Sequence, residues 1–407
     1  MTPVPSPRAA LTHRGFRYYW IARLCATFAV QIISVSVGWL VYDLTREPLM
    51  LGFVGLAQFL PSLLLVLVTG AVADRYNRRL IMSLCLVAEF ALALALLFFV
   101  VTGTHEVWLI FAILVGYGVA RAFFGPVIQS LVPNLVPQEH LSNAIAWNSS
   151  SWQFATIVGP VLGGLLYGHA PVTAFATAAV LFLAGSVCAA IIPKPEQKTT
   201  PEPANWATVV AGFRYIWSNR IVLGAVSLDL FAVLLGGATA LLPAYARDVL
   251  EVGPWGLGLL RAGPGIGAIV VAVWLMFRPI RDHAGIMMFV CVGIFGLATV
   301  VFGVSTSVWL SVPALAVMGA GDMVSVYVRE TLIQLKTPDD VRGRVNAVNM
   351  VFVGASNELG EFRAGVSAWL IGVVPAVVVG GLGTMAVAAL WAKGFPELRR
   401  ARRLDGH

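Results

Sequence analysis

Charge is what this sequence has least of. Asp, Glu, Lys and Arg together make up 12% of the 407 residues, about half the usual share in a soluble domain. Hydrophobic residues reach 58% and the mean hydropathy is +0.84. A large soluble domain and a disordered chain are excluded on those grounds. Cysteine is scarce as well. Cys25, Cys85, Cys188 and Cys291 each fall in an apolar run, far apart in sequence, which excludes a disulfide scaffold and reads as buried thiols with no disulfide and no metal. No G-x-x-x-x-G-K-S/T stretch, no H-E-x-x-H and no paired C-x-x-C occurs. ATP therefore drives nothing here, and neither an enzyme activity, a cofactor nor a metal is expected.

Long apolar runs are present instead. They lie at roughly 17–42, 49–73, 80–102, 106–132, 144–168 and 171–192, then 220–246, 254–277, 284–304, 307–334, 345–371 and 373–393. Each approaches or exceeds the ~20 apolar residues that a transmembrane helix needs. Twelve such helices use ~240 to 300 residues and leave only short loops. The 40 glycines and 22 prolines fit, because both are tolerated inside spans. The first run is too long for a signal peptide and has no small-residue cleavage site.

Positive charge gives an orientation. With the N-terminus inside, the inner segments hold Arg8, Arg14, Arg17, Arg75, Arg78, Arg79, Lys194, Lys198, Arg214, Arg278, Arg281, Lys336, Arg342, Arg344, Arg399, Arg400, Arg402 and Arg403. The outer loops hold only Arg46 and Arg247. Both termini are then cytoplasmic. The pI near 9.5 becomes a topology signal plus contact with anionic lipid, and nucleic acid is not an expected partner.

The two halves repeat at an offset near 200. Arg17-Tyr18-Tyr19-Trp20 with Arg23 recurs as Arg214-Tyr215-Ile216-Trp217 with Arg220; Gly55 and Pro61 recur as Gly258 and Pro264. Ala146-Trp147-Asn148 and Gly159 recur as Ala347-Val348-Asn349 and Gly360. This predicts an all-α membrane protein of two pseudo-symmetric six-helix bundles, residues 1–192 and 220–407, joined by a cytoplasmic linker at 193–219. The substrate path is then expected between the halves near midplane. Within the linker, Trp206 to Trp217 reads as an interfacial amphipathic helix.

Between the second and third runs the chain reads Gly70-Ala-Val-Ala-Asp74-Arg75-Tyr76-Asn77-Arg78-Arg79. This resembles the loop signature of the major facilitator superfamily, G-x-x-x-D-R-x-G-R-R, with Asn77 where glycine is usual. Asn also tolerates positive φ, so the same turn is expected. Gly70 is expected to admit a neighbouring helix, and Asp74 to accept hydrogen bonds at a helix N-terminus. The resemblance implies a conformational latch at Gly70, Asp74, Arg75, Arg78 and Arg79; simple inside anchoring is the alternative for Arg78 and Arg79.

The fifth run carries Gly159-Pro160-Val161-Leu162-Gly163-Gly164, which resembles the G-P-x-x-G-G element of the superfamily's antiporters. Segments spread over almost the whole chain, such as "GWLVYDLT" at 38–45 and "LDLFAVLLGGATALLPAYA" at 228–246, resemble the enterobactin-exporter and multidrug-efflux group. The resemblance implies alternating access, export and a bacterial inner-membrane location.

Ionisable residues deep in spans are candidates by default. They are Glu89, Arg121, Asp229, Arg261, Asp322, Glu358, Glu361 and Arg363. Five acids against three arginines leave about two acids unpaired if every arginine takes one. Arg121 maps onto Asp322 at the repeat offset and lies where the superfamily's span-four arginine motif would be. Asp229 and Arg261 are candidates to pair with each other, and Glu89 reads as structural. Glu358 and Glu361 share a helix face, which makes them the preferred proton site, while Arg363 points elsewhere. A static ion pair that fixes helix packing is the alternative for each.

The fifth run opens with a polar and aromatic stretch that includes Trp147, Asn148, Ser151 and Trp152. With Gln31 and Gln58 these residues are expected to line a substrate cavity for amphipathic compounds. Helix–helix hydrogen bonding is the alternative. Gly263-Pro264-Gly265-Ile266-Gly267 lies inside a span and reads as helix packing, not a nucleotide loop. The expected protein is a monomeric secondary transporter that exports a drug-like compound or a siderophore in exchange for protons. Uptake, facilitated diffusion and a non-transporting sensor on the same fold are the alternatives.

Overall fold

The structure is a computed structural model that describes residues 8–193, 206–280 and 282–401. Lys194, Lys198, Arg281, Arg402 and Arg403 of the orientation argument lie outside the described residues. Among those described, helices account for nearly everything and no β-strand occurs. In chain order they are α1 (Arg14–Thr45), α2 (Pro48–Arg75), α3 (Arg78–Val101), α4 (Val107–Leu131), α5 (Gln138–His169), α6 (Pro171–Ile191), α7 (Trp206–Ser218) and α8 (Arg220–Gly236). There follow α9 (Leu242–Ala244), α10 (Pro254–Phe277), α11 (Ala284–Val304), α12 (Val308–Lys336), α13 (Asp339–Ile371), α14 (Val373–Gly394) and α15 (Pro396–Arg399).

Ten helices among the described residues are long and apolar enough to cross a membrane. Two long helices are absent from that set, α5 and α13, of 32 and 33 residues. Each is about 50 Å long at the helical rise, enough to span. Polarity is what sets them apart: Asn143, Asn148, Ser149, Ser150, Ser151 and Gln153 in α5, and Asn346, Asn349, Asn357, Glu358, Glu361 and Arg363 in α13. Of these, Asn148, Ser151, Glu358, Glu361 and Arg363 are expected site residues.

The chain divides into two compact units: residues 1–44 with 57–204, and residues 45–56 with 205–407. In the first, α3 packs on α4 and α6, and α5 on α6. Helix α3 buries Met82, Cys85, Glu89, Ala93 and Leu96 and exposes Leu84, Val87, Leu94, Phe98 and Val101. An outward face this apolar matches lipid rather than water. In the second unit α11 packs on α12 and α14, α10 on α12, and α13 on α7, α8 and α14. Gly263 and Gly267 of α10 abut the backbone of Val312 and Ala316 in α12, so that glycine run is helix packing. All four cysteines are free, as expected, but only Cys85 and Cys291 are buried; Cys25 and Cys188 are half-buried.

The repeat motif folds differently in its two copies. Arg17–Arg23 lies inside the unbroken α1, whereas Arg214–Arg220 is split between α7 and α8. The residues at the split explain it: Ile21-Ala22 in the first copy, Ser218-Asn219 in the second. Asn219 is extended, with φ −102, and its side chain accepts from the amides of Ile221 and Val222 at 3.2 Å each. A helix N-cap therefore opens a new helix where the first half continues one. The expected amphipathic segment is α7.

Helix α8 also stops short. It ends at Gly236; a 3-10 turn (Thr239–Leu241), α9 and a π-turn (Tyr245–Val249) carry the chain onward. Gly236-Gly237 supplies the break, since two glycines in succession support a helix poorly.

Candidate functional site

The basic loop lies between α2 and α3. Asp74 falls in the last turn of α2, and its side chain is outside what the structure describes. Arg75 ends the helix and is exposed. Arg78 donates from Nε to the carbonyl of Ala73 at 3.1 Å and from Nη1 to that of Ser130 at 2.9 Å. Arg79 donates from Nη1 to the carbonyl of Ile192 at 2.7 Å. These carbonyls sit at the C-terminal ends of α2, α4 and α6, where acceptors lack helical partners and cations are favoured. The two arginines therefore tie three helix ends together. Two expectations are corrected here. Asn77 has φ −62, not a positive φ, and its side chain accepts from the Arg79 amide at 3.0 Å; it caps α3, as glycine could not. A side chain on Gly70 would meet nothing within 4 Å among the described residues, so the expected close helix contact is not seen among them.

Helix α5 meets α1 along a tight seam. A Cβ on Gly159 would lie 2.6 Å from Cβ of Gln31, and one on Gly163 would lie 3.0 Å from Cα of Ile32. Pro160 and Gly164 are buried in the same stretch. Further along, Trp147 and Trp20 meet edge to face at 5.6 Å, and Trp20 Nε1 donates to the Trp147 carbonyl at 3.4 Å. Asn148 is buried, and Ser151 is buried and donates back to the Asn148 carbonyl at 3.0 Å. Trp147 thus packs on α1, Ser151 bonds within α5, and Asn148 Oδ1 has no hydrogen-bond partner among the described residues, while Trp152 stays 48% exposed.

Arg121 of α4 is exposed and donates to Gln58 Oε1 at 3.3 Å. Glu89 of α3 is 1% exposed, Oε2 has no hydrogen-bond partner among the described residues, and Arg121 is the cation acting on it. Arg121 is therefore the group that touches Gln58 and acts on Glu89 in the first unit.

In the second unit, Glu358 and Glu361 converge. A Cβ on Gly55 would lie 3.0 Å from Oε2 of each, so the two carboxylates do share a face of α13. Thr239, just after the α8 break, donates to Glu361 Oε1 at 3.0 Å. Arg261 of α10 interacts electrostatically with both glutamates, Glu361 more strongly. Arg363 takes no acid among its described contacts: Nε donates to the Leu234 carbonyl at 3.0 Å and Nη2 to the Leu235 carbonyl at 2.5 Å.

Asp229 does not pair with Arg261. Its partner is Arg329 of α12, a residue that sequence reasoning missed. Arg329 is 3% exposed and also lies 3.7 Å from Glu330 Oε1, which accepts from Asn349 at 2.9 Å. Asp322 is near enough to feel both Asp229 and Arg329. The signal lay in the seven-residue spacing of Asp322 and Arg329, two helical turns on one face.

The profile of the family described as transmembrane secretion effector, a branch of the major facilitator superfamily, matches residues 5–402. The chain belongs to that family. An "Enterobactin exporter EntS" of Citrobacter koseri is 26% identical over 96% of this chain and 94% of its own length. The protein of the same name from Shigella boydii serotype 4 is 25% identical with the same coverage. The fold recurs in solved facilitators. A bacterial homologue of the human lysosomal transporter Spinster, inward-facing and unoccupied, superposes with a TM-score of 0.72 at 13% identity, covering 97% of this chain and 99% of that one. The nucleoside transporter NupG gives 0.75 at 12%, covering 94% and 99%. A bacterial homologue of ferroportin, inward-facing, gives 0.68 at 16%, covering 93% and 98%.

This facilitator is thus a multi-pass membrane transporter of small molecules. Its intramembrane charges include Arg121 on Gln58 in the first unit, and the glutamate pair and the Asp229–Arg329 pair in the second.

Proposed function

We propose that the protein exports amphipathic small molecules, a siderophore or drug-like compounds, across the bacterial inner membrane in exchange for protons. Its halves, residues 1–192 and 220–407 joined by 193–219, would rock to expose the substrate path alternately to each side. Both termini are assigned to the cytoplasm, the functional unit is a monomer, and the basic inner segments face anionic lipid. The observation that carries the reading is the convergence of Glu358 and Glu361 beside Arg261 in a member of the secretion-effector family. Two carboxylates that share one arginine hold one negative charge in excess, and one proton neutralises it. The names of the enterobactin exporters support export, and so does the small-residue seam between α1 and α5. Gln31, Gln58, Trp147, Asn148, Ser151 and Trp152 remain the proposed cavity residues. The basic loop remains the proposed latch.

Everted membrane vesicles test direction. Uptake of a catecholate siderophore or a lipophilic dye into everted vesicles, with none into right-side-out vesicles, is expected. Gradient-driven accumulation in right-side-out vesicles would make the protein an importer.

A further inference from the structure

We propose that Asp322 is a proton-binding site within the second unit, separate from the Glu358/Glu361 pair. Helices α8, α11 and α12 line a cavity of about 10 Å³, room for a single water molecule. Asp229, Asp322 and Ser325 face it, among apolar walls that include Val292 and Phe295. Asp229 is held by Arg329. Ser325, one helical turn after Asp322, is 2% exposed, and its hydroxyl has no hydrogen-bond partner among the described residues.

Charge decides what the site takes. Two carboxylates and one guanidinium leave one negative charge in a half-buried, mostly apolar cavity, and an ion left unpaired away from bulk water is costly. The neighbouring elements do not supply the missing cation. Arg220 of α8 lies at the helix start, paired with Glu397. Arg261, the one ionisable side chain of α10, acts on Glu358 and Glu361 of α13. Arg363 of α13 binds the α8 carbonyls. Helix α11 offers only the Cys291 thiol, and α14 has only Lys393 in its last turn. On α12 itself Glu330 adds a further acid, and Tyr327 and the terminal Lys336 complete its titratable groups. A metal ion would need a full shell of oxygens, where this cavity presents two carboxylates and one hydroxyl. A proton needs one carboxyl oxygen. The protonated acid becomes a donor, and the Ser325 hydroxyl on the same helix face accepts. When Asp322 loses its proton, both aspartates compete for Arg329, which links the proton to the α8–α12 contact.

Proton release from the purified, detergent-solubilised full chain tests this, with neither substrate nor gradient present. Wild type and variants are titrated from mildly acidic to mildly alkaline pH with an indicator dye, and the protonated-carboxyl band is followed by infrared spectroscopy. Asp322→Asn should release one proton fewer per molecule than wild type and lose that part of the band. Asp229→Asn should lose the same proton, because Arg329 is then free to pair with Asp322. Both variants keep one acid–arginine pair and should fold. Release equal to wild type from both variants would overturn the proposal. So would stabilisation of wild type, but not Asp322→Asn, by sodium chloride relative to choline chloride, which would mark a sodium site. Because equilibrium release needs no transport, the outcome is independent of whether export is proton-driven.

Discussion

Arg363 holds the carbonyl oxygen of Leu234 at 3.0 Å through Nε. With its second bond, to Leu235, this arginine satisfies two acceptors that the α8 break leaves without helical partners. Backbone groups at membrane depth must find partners inside the protein, and a guanidinium fork can serve two at once. An arginine that by residue type alone reads as a partner for an acid is instead a cap for a broken helix.

Arg363→Ala should therefore lower stability by about 2–4 kcal/mol, the cost of leaving two buried acceptors unsatisfied. Arg363→Lys should recover only part of this, since an ammonium lacks the fork. Thermal unfolding of the detergent-solubilised protein checks both. An Arg363→Ala protein as stable as wild type would mean that the break is held by other contacts.

The seam between α1 and α5 should tolerate no bulk. Gly163→Val places methyl groups against the Ile32 backbone, where a Cβ alone would already lie 3.0 Å from Cα. A loss of ~1–3 kcal/mol is expected, together with reduced transport. Comparison of Gly163→Ala and Gly163→Val by thermal unfolding should show the larger residue to be the worse.

The basic loop separates two roles. Arg78→Ala loses bonds to the ends of α2 and α4 and should cost both stability and transport. Asp74→Asn should reduce transport at near-normal protein level and stability, as a conformational latch would. Parallel expression and efflux assays decide it: wild-type transport by Asp74→Asn removes the latch assignment.

Most helices were legible because lipid demands long apolar runs with few charges, a pattern that single residues rarely disturb. What was hard to read was where polar groups spend their hydrogen bonds. Asn77 matched the signature as a substitute for glycine, yet it serves as a helix cap. Ser218-Asn219 splits a motif whose first copy, with Ile21-Ala22, runs straight through. Arg329 escaped notice near the end of a long run, although it is the partner of Asp229. In each case a spacing gives the face of a helix, while the partner on that face depends on which neighbour arrives there. Glu358 and Glu361 were the favourable case, because both members of the pair sit on one helix.

The central claim is tested most directly by substrate efflux from proteoliposomes with and without an imposed pH gradient. Wild type should export faster with the gradient than without it. Glu358→Gln and Glu361→Gln should lose that gradient-driven component yet keep binding and substrate exchange, with Asp229→Asn and Asp322→Asn run beside them as the competing carboxylates. Undiminished gradient-driven efflux in both glutamate variants would contradict the assignment of the proton to this pair. A wild-type protein indifferent to the gradient would contradict proton coupling itself.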